Sequence, residues 1–269
     1  MFVLTPDKLT SLAKEFSGQY QTAEPFPHVV IDDFLPADAL RLVADNFPKA
    51  GDIDWHRSTN PRQKKLAAED ETQIDDSARW LLYQLNSATF MKFLETLTGI
   101  DGLIPDPYFA GGGLHQIEPG GYLKIHADFN RHPKFGLERR LNLLLYLNEN
   151  WEEEYGGHLE LWNKDMTGCV HRILPTFNRC VIFNTTDFSY HGHPEPLTCP
   201  EGMTRKSLAL YYYSNSRPNE EVSAEHGTLV RPRPGERIDG LNGRSTARSI
   251  LKRLIPPIVT DIRDHLKRK

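Results

Sequence analysis

Cysteine is scarce in this chain, which contains only Cys169, Cys180 and Cys199 among its 269 residues. An odd number of cysteines without a close pair argues against both a disulfide framework and a zinc cluster, and it favours a reducing compartment. The N-terminal residues also lack the basic segment and long apolar run of a secretory signal. Together these absences predict a cytoplasmic protein.

Long hydrophobic runs are missing too, since no stretch approaches the roughly 18 apolar residues that a transmembrane helix requires. Positive charge is not in excess, because the formal net charge is −4. That balance argues against a protein built as a whole to bind nucleic acid. What remains is an ordinary globular composition, 39% hydrophobic and 25% charged, in a chain long enough to bury a sizeable core.

Apolar residues recur at helical spacing through the first hundred positions. Thr5-Pro6 provides a cap followed by proline at the first helical position, and Gly99 is a typical C-terminal stop. A short apolar stretch at 26–35 is predicted to be a strand that runs into a turn. The periodicity predicts helices over 6–17, 36–47 and 75–97.

Residues 49–73 break this pattern, because they are polar and mixed in charge. We expect a long loop there, which is either a functional lid or a mobile surface excursion. A second polar stretch, 129–139, is the other candidate lid.

From about residue 104 the apolar period changes from 3.6 to 2, with Gly, Pro and Asn between the runs. Many short strands of this kind are typical of a sandwich or jelly roll, and helices that precede them are expected to pack on one face of the β core. The predicted fold class is therefore α+β with a mostly β core. The predicted strands are 113–118, 121–128, 140–147, 157–162, 169–174, 179–184 and 204–213.

We divide the chain into an N-terminal support region at 1–103, a β core at 104–216 and an irregular C-terminal arm at 217–269. The arm is rich in proline, glycine and charge, and it ends in a predicted basic helix from Ser249 to Lys269. Such a helix either docks on its own domain or makes a weak contact with a membrane surface or a partner.

The stretch 122–128 is a predicted strand that ends in two metal-ligand types. Alternate residues of a strand share a face, so His126 and Asp128 point the same way. They supply two of the three ligands in the site of two histidines and one carboxylate that holds Fe(II). The third ligand is expected after a later apolar strand, where His191 and His193 are the candidates. His191 is favoured because it comes first and a glycine follows it.

An anion site is indicated on the strand at 204–213. Arg205 and Ser207 share one face there, and an arginine that points into a β core is costly unless it meets an anion. Arginine suits a carboxylate, which it grips with two parallel bonds, and the Ser207 hydroxyl lies at the same end. The alternatives are that Lys206 points inward instead, or that Arg205 pairs with a protein carboxylate. Tyr146 either donates its hydroxyl to the same anion or is a core tyrosine.

Taken in order, these residues resemble the Fe(II)- and 2-oxoglutarate-dependent oxygenases, and within them the prolyl 4-hydroxylase-like branch. The resemblance covers about residues 104–215. It implies a double-stranded β-helix, which is a distorted, cupin-like jelly roll, with the N-terminal helices packed on its larger sheet. The ordered set consists of His126-x-Asp128, Tyr146-Leu147-Asn148-x-x-Trp151, Gly156-Gly157-x-Leu159, His191 and Arg205-x-Ser207.

The resemblance implies that Fe(II) is held by His126, Asp128 and His191. It also implies that Arg205 and Tyr146 hold the distal carboxylate of the co-substrate 2-oxoglutarate. Collagen-type members use a lysine for that carboxylate, so Arg205 is a departure from them. Halogenating relatives replace the metal carboxylate by a small residue. Because Asp128 is retained, hydroxylation is the expected outcome.

The implied reaction uses O2, hydroxylates an unactivated C–H bond and releases succinate and CO2, with ascorbate as the expected reductant. A prolyl residue is the first expected substrate, and a free amino acid or another small metabolite, including a sugar-linked one, is the alternative. A jelly-roll module that keeps a metal without turnover is a further alternative. The residues expected to touch the substrate or support the ligands are Gln116, Tyr122, Lys124, Asn142, Asn184, His193 and Tyr211.

Overall fold

The computed structural model describes residues 3–240. Its first helix begins as predicted, because the Thr5 side chain accepts a hydrogen bond from the Lys8 amide at 3.4 Å and Pro6 is the first helical residue. The helices of the described residues are α1 (Pro6–Thr22), α2 (Ala37–Asp45), α3 (Asp76–Leu85) and α4 (Ala88–Thr98).

The prediction of one helix over 75–97 is wrong, because α3 ends at Leu85 and α4 begins at Ala88. Ser87 lies between them and accepts a hydrogen bond from the Phe90 amide at 3.3 Å, which caps a new helix. The predicted stop is confirmed, since Gly99 closes α4 in the left-handed conformation with φ 73°.

The thirteen strands found within residues 3–240 form one sheet. Its larger half contains β10, β7, β12 and β5, and its smaller half contains β6, β11, β8 and β9. Strand β3 joins the halves because it pairs with both β5 and β6, and the sheet curls so that the halves face each other. The predicted double-stranded β-helix is confirmed. The strands are β1 (His28–Ile31), β2 (His56–Asn60), β3 (Gln63–Ala68), β4 (Ile104–Pro105), β5 (Gly113–Ile117), β6 (Tyr122–Ala127), β7 (Glu138–Tyr146), β8 (Leu159–Trp162), β9 (Cys169–Ile173), β10 (Cys180–Asn184), β11 (His191–His193), β12 (Arg205–Ser214) and β13 (Leu229–Val230).

The prediction of a long loop over 49–73 is wrong, because this segment contains the β2–β3 hairpin. Strand β2 is almost entirely exposed, and in β3 only Leu66, Ala67 and Ala68 are buried. The apolar alternation of a strand is therefore too weak to recognise in the sequence, although β3 is an integral part of the sheet.

The main core lies between the helices and the outer face of the larger half of the sheet. Leu141, Leu143 and Leu145 of β7 are fully buried in that core, while the alternate residues Asn142 and Leu144 face the interior of the curled sheet. The expectation that the helices pack on one face of the β core is thus confirmed.

None of the helices in residues 3–240 combines the length and the apolarity needed to cross a bilayer. The predicted basic helix at 249–269 lies outside the described residues. The described part of the arm includes β13, whose Leu229 and Val230 pair with Ala127 and His126 of β6.

Candidate active site

A cavity of about 270 Å³ opens between the two halves of the curled sheet. Strands β5, β7 and β12 line it from the larger half, and β6, β8 and β11 line it from the smaller half. The hairpin strands β2 and β3 contribute to the same wall. Inward-facing polar side chains from at least three parts of the chain therefore meet in one enclosed space.

His126, Asp128 and His191 converge in this cavity. Strand β11 pairs with β6 so that His191 stands directly beside His126. His126 Nε2 lies 3.4 Å from Asp128 Oδ1, and His191 Nε2 lies 3.5 Å from Asp128 Oδ2. One donor atom from each side chain lies within 4.8 Å of the other two, which is an arrangement that can hold one metal ion.

Backbone carbonyls fix both imidazole rings. His126 Nδ1 lies 2.8 Å from the Lys124 carbonyl oxygen, and His191 Nδ1 lies 2.9 Å from that of Ser189. A carbonyl oxygen only accepts hydrogen bonds, so Nδ1 carries the proton in each ring. The lone pair of each Nε2 is therefore available to a metal, and the orientation of each ring is set before the metal binds.

The Asp128 carboxylate is held by two buried donors from β7. Arg139 Nη2 donates to Asp128 Oδ2 at 3.0 Å, and Asn142 Nδ2 donates to the same oxygen at 2.6 Å. Burial raises the pKa of Asp128, but Arg139, followed by His191 and His126, holds that pKa well below its usual range. Asp128 is therefore ionised at neutral pH, which is the form that could bind a metal.

The imidazole of His191 is neutral at the same pH. Burial, followed by the charge of His126, lowers the pKa of His191 to about 4. Neutral imidazole is the form that binds a metal, so the site needs no proton release from His191 at neutral pH.

A β-bulge sets which residues of β6 face the cavity. His191 pairs with His126 while His193 pairs with Leu123, so the register shifts between the two histidines. Gly192 sits at the shift, where an added Cβ would lie 2.8 Å from the Leu123 carbonyl oxygen. The shift brings Leu123 into the cavity and leaves Lys124 out of it.

Tyr122 and Lys124, two predicted site residues, consequently have their polar groups elsewhere. The Tyr122 hydroxyl donates to the Asn60 carbonyl at 3.1 Å, and the Lys124 ammonium donates to the Pro194 carbonyl at 3.2 Å. Strict alternation along β6 would place Tyr122 and Lys124 on the inner face with His126. The bulge interrupts this alternation, so neither side chain lines the cavity.

Gln116 and Asn184 are also placed away from the cavity. Gln116 Nε2 donates to the Pro48 carbonyl at 3.3 Å, and Asn184 Oδ1 accepts a hydrogen bond from the Tyr20 hydroxyl. Both amides therefore tie the β core to its N-terminal support. The other predicted residues do line the cavity, namely Asn142, His193, Ser207 and Tyr211.

Arg205 enters the cavity from β12 and is only 5% exposed. Its Nε donates to the Gly157 carbonyl at 2.8 Å, and its Nη2 donates to the Tyr146 hydroxyl at 3.2 Å. Lys206 points the other way, with its ammonium over the ring of Phe47. Within residues 3–240 no carboxylate forms an ion pair with Arg205, so this buried charge is prepared for an external anion.

Several cavity residues were not predicted from the sequence, and they are Lys65, His115, Phe129 and Arg139. Lys65 lies in the segment that was expected to be a loop. Arg139 lies at a register shift between β7 and β12, so alternation gives the wrong face for it. Residues 63–69 alternate too weakly in polarity to indicate Lys65, so the sequence carries no clear signal for it.

The family model described as the 2OG-Fe(II) oxygenase superfamily matches residues 112–213. That range contains the three candidate metal ligands as well as Arg205, Tyr146 and Ser207. Residues 112–213, less than half of the chain, are therefore similar to the 2OG-Fe(II) oxygenases. The double-stranded β-helix around the cavity and the order of the side chains within it agree with this similarity.

A curated relative of this chain is Prolyl 3-hydroxylase OGFOD1 of Mus musculus, with 27% identity over 199 residues. The alignment covers 72% of this chain and 34% of the relative. The chain therefore spans about a third of the length of that curated relative.

Two solved structures have the same fold as this chain. A prolyl hydroxylase from Trichoplax adhaerens, in complex with a hypoxia inducible factor peptide fragment, has a TM-score of 0.57 at 20% identity, covering 77% of this chain and 91% of that one. A Pseudomonas putida prolyl-4-hydroxylase has a TM-score of 0.51 at 17% identity, covering 77% of this chain and all of that one.

Proposed function

We propose that this oxygenase uses Fe(II), 2-oxoglutarate and O2 to hydroxylate an unactivated C–H bond, with release of succinate and CO2. One observation carries the proposal. The three donors of His126, Asp128 and His191 share a cavity with Arg205, a buried cation that has no carboxylate partner among residues 3–240. A metal site alone would not account for that arginine.

The donor set fits Fe(II), because two imidazoles and one ionised carboxylate form the facial triad of non-haem iron oxygenases. His126, Asp128 and His191 would hold the ion. His193 Nδ1 is buried beside them without a hydrogen-bond partner in the described residues, as is expected where a ligand or water completes a site. When bound, iron and 2-oxoglutarate supply the oxidising chemistry that side chains lack.

The protein side chains position and shield the reactants. Arg205 and Tyr146 present two donors to the distal carboxylate of 2-oxoglutarate, and Ser207 lies opposite Tyr146 in the pairing of β12 with β7. Leu123 and Leu144 add apolar surface to the cavity wall, which limits the water that can reach the reactants.

A prolyl residue of a peptide or protein is the proposed substrate. The similarity to a prolyl 3-hydroxylase over 72% of this chain supports it. We also propose ascorbate as the reductant, since uncoupled turnover of such sites leaves oxidised iron, and the cytoplasm as the location, since the three cysteines are free.

The test is turnover by the purified protein with Fe(II), ascorbate, 2-oxoglutarate and a library of proline-containing peptides. Succinate release and the gain of one oxygen atom by a peptide, measured by mass spectrometry, are the expected results. His126→Ala should abolish both, because it removes a metal donor. His171→Ala is the matched control, since that histidine is exposed on β9 and bonds the Glu24 carbonyl. Succinate release by the His126 variant at the wild-type rate would show that the metal assignment is wrong.

A further inference from the structure

Lys65 projects into the cavity from β3. The alternate residues Gln63, Lys65, Ala67 and Glu69 all line the cavity, while Leu66 packs in the main core. Strand β3 pairs with β6 through Gln63 and with β5 through Ala67, so Lys65 lies at the corner between the two halves of the sheet. Its direction is thus fixed by strand register on both sides.

The Lys65 ammonium has no partner among residues 3–240, since it forms neither a hydrogen bond nor an ion pair there. Asp128 attracts it, but that carboxylate is already bonded to Arg139 and Asn142. Glu69 also attracts it but lies at the exposed rim, outside ion-pair distance. Burial lowers the pKa of Lys65, which shows that the surroundings disfavour the bare charge.

The charge of the cavity leaves Lys65 unmatched. Three cationic side chains line it, namely Lys65, Arg139 and Arg205, against the carboxylates of Glu69 and Asp128. A divalent metal ion and the two carboxylates of 2-oxoglutarate would cancel each other's charge. The cavity therefore keeps one positive charge in excess. Arg139 is paired with Asp128 and Arg205 bonds Tyr146 and Gly157, whereas Lys65 has no hydrogen-bond or ion-pair partner among residues 3–240.

We propose that Lys65 binds a second carboxylate in this cavity, separate from the one that meets Arg205. The inference rests on the proposed function, which supplies the first carboxylate. A lysine ammonium is a compact charge with three donors, and a carboxylate in an enclosed site is a ligand of matching charge and size.

Two sources can supply that carboxylate. One is the carboxylate of 2-oxoglutarate next to its keto group. The other is a carboxylate on the second substrate, as in a free amino acid or a chain terminus. In the second case the preferred substrate is a free carboxylate-bearing molecule and not an internal prolyl residue of a peptide.

The first experiment measures binding of 2-oxoglutarate to the Mn(II)-loaded protein by calorimetry, without turnover. Lys65→Met should weaken this binding about tenfold or more if the carboxylate is that of 2-oxoglutarate, because a charge-assisted bond is lost. Lys65→Arg, which restores the charge, should recover most of the affinity. Lys64→Met is the matched control, since Lys64 lies on the opposite face of β3 and does not line the cavity.

The second experiment measures acylation of Lys65 by a succinimidyl ester, with mass spectrometry, in the wild-type protein loaded with Mn(II) and saturating 2-oxoglutarate. If the second substrate supplies the carboxylate, acetate should protect Lys65 further and acetamide should not. Lys64 acylation should not respond in either case.

The outcomes separate the two claims. Unchanged 2-oxoglutarate affinity in Lys65→Met, together with no protection of Lys65 by either 2-oxoglutarate or acetate, overturns this inference alone. Wild-type protein that binds neither Mn(II) nor 2-oxoglutarate overturns the proposed function instead. Thermal unfolding midpoints of the three variants establish that each one is folded.

Discussion

Arg205 is the residue through which the co-substrate site can be tested most directly. Replacing it by methionine removes the buried guanidinium that bonds Gly157 and Tyr146. We expect the Kd for 2-oxoglutarate to rise about 10- to 100-fold, since bonds between charged groups contribute roughly 1.5–3 kcal/mol. Binding of Mn(II) alone should change little. Both are measured by calorimetric titration.

Lys206→Met is the control for Arg205→Met, because the neighbouring cation lies over Phe47 on the other face of β12. It should leave the Kd for 2-oxoglutarate within about twofold of the wild-type value. Equal losses in the two variants would mean that the net charge of the protein, and not the Arg205 contact, governs binding.

Asn142 is a supporting residue for Asp128, one of the three proposed metal ligands. Its amide nitrogen donates to Asp128, and its amide oxygen accepts from Arg139, which itself bonds Asp128. Asn142→Ala therefore removes one hydrogen bond to the carboxylate and one that holds the arginine beside it. We expect Mn(II) affinity to fall about 10- to 100-fold, as is usual when the partner of a metal ligand is removed. The amide of Asn184, which meets Tyr20 instead, provides the control variant Asn184→Ala. An unchanged Mn(II) affinity in the Asn142 variant would contradict the role given to it.

At this scale the sequence is informative where side chains alternate regularly. His126, Asp128 and Arg205 could be identified because alternation and chain order place them on inner faces. Arg139 could not, because a register shift between β12 and β7 reverses the alternation just before it. The partner of the metal carboxylate is therefore set by pairing between distant strands, which a single sequence does not display.

Among the secondary-structure elements, the short strand β11 is the most sensitive to a change in the backbone. Gly192→Ala would place a Cβ 2.8 Å from the Leu123 carbonyl and 2.9 Å from the Lys124 carbonyl. Backbone atoms in a paired strand cannot move aside cheaply, so we expect a loss of about 1–3 kcal/mol in the free energy of unfolding. Weaker Mn(II) binding should accompany it, because His191 is displaced. Chemical denaturation and metal titration measure the two effects.

Gly168→Ala is the matched control for Gly192→Ala, since nothing lies within 4 Å of a Cβ at that position. Its free energy of unfolding should stay within about 0.5 kcal/mol of the wild-type value. If Gly192→Ala proved as stable as this control, the backbones of β11 and β6 could move apart with no loss in the free energy of unfolding, which would contradict the prediction.

The elements of the chain were predictable to the extent that they bury apolar residues. Strands β7, β10 and β12 have continuous apolar faces and were located within two residues or so of their true ends. The β2–β3 hairpin was missed because one strand faces solvent and the other faces a polar cavity. Strands that line an active site carry polar residues on their inner faces. Their sequences therefore lack the clear alternation of apolar and polar residues by which a strand is recognised.

For the molecule as a whole, buried histidines connect stability with pH. Burial lowers the pKa of both His28 and His115, and Lys65 lowers that of His115 further. Such a histidine is protonated more readily in the unfolded chain, where its pKa is about 6.5. Stability is therefore full above about pH 6.5 and declines as the pH falls towards the folded-state pKa.

We expect the thermal unfolding midpoint of the metal-free protein to be lower near pH 5 than near pH 7.5, as measured by circular dichroism. His28→Gln should reduce this pH dependence, because one of the linked groups is removed. If the unfolding midpoint rose on acidification, the pH dependence of stability would have the opposite sign. That result would exclude the proposed link between histidine protonation and unfolding.

Strand β6 is paired along both edges by segments made at very different times. One edge meets β11, while the other is shared between β3 near Leu123 and β13 near His126. Synthesis proceeds from the N-terminus, and a domain generally folds as a unit. The strand that holds the first histidine therefore keeps part of an edge open until Val230 has been made, well after the matched range 112–213 is complete. During translation, the proposed iron site therefore gains its full set of strand pairings only after residue 230 has been made.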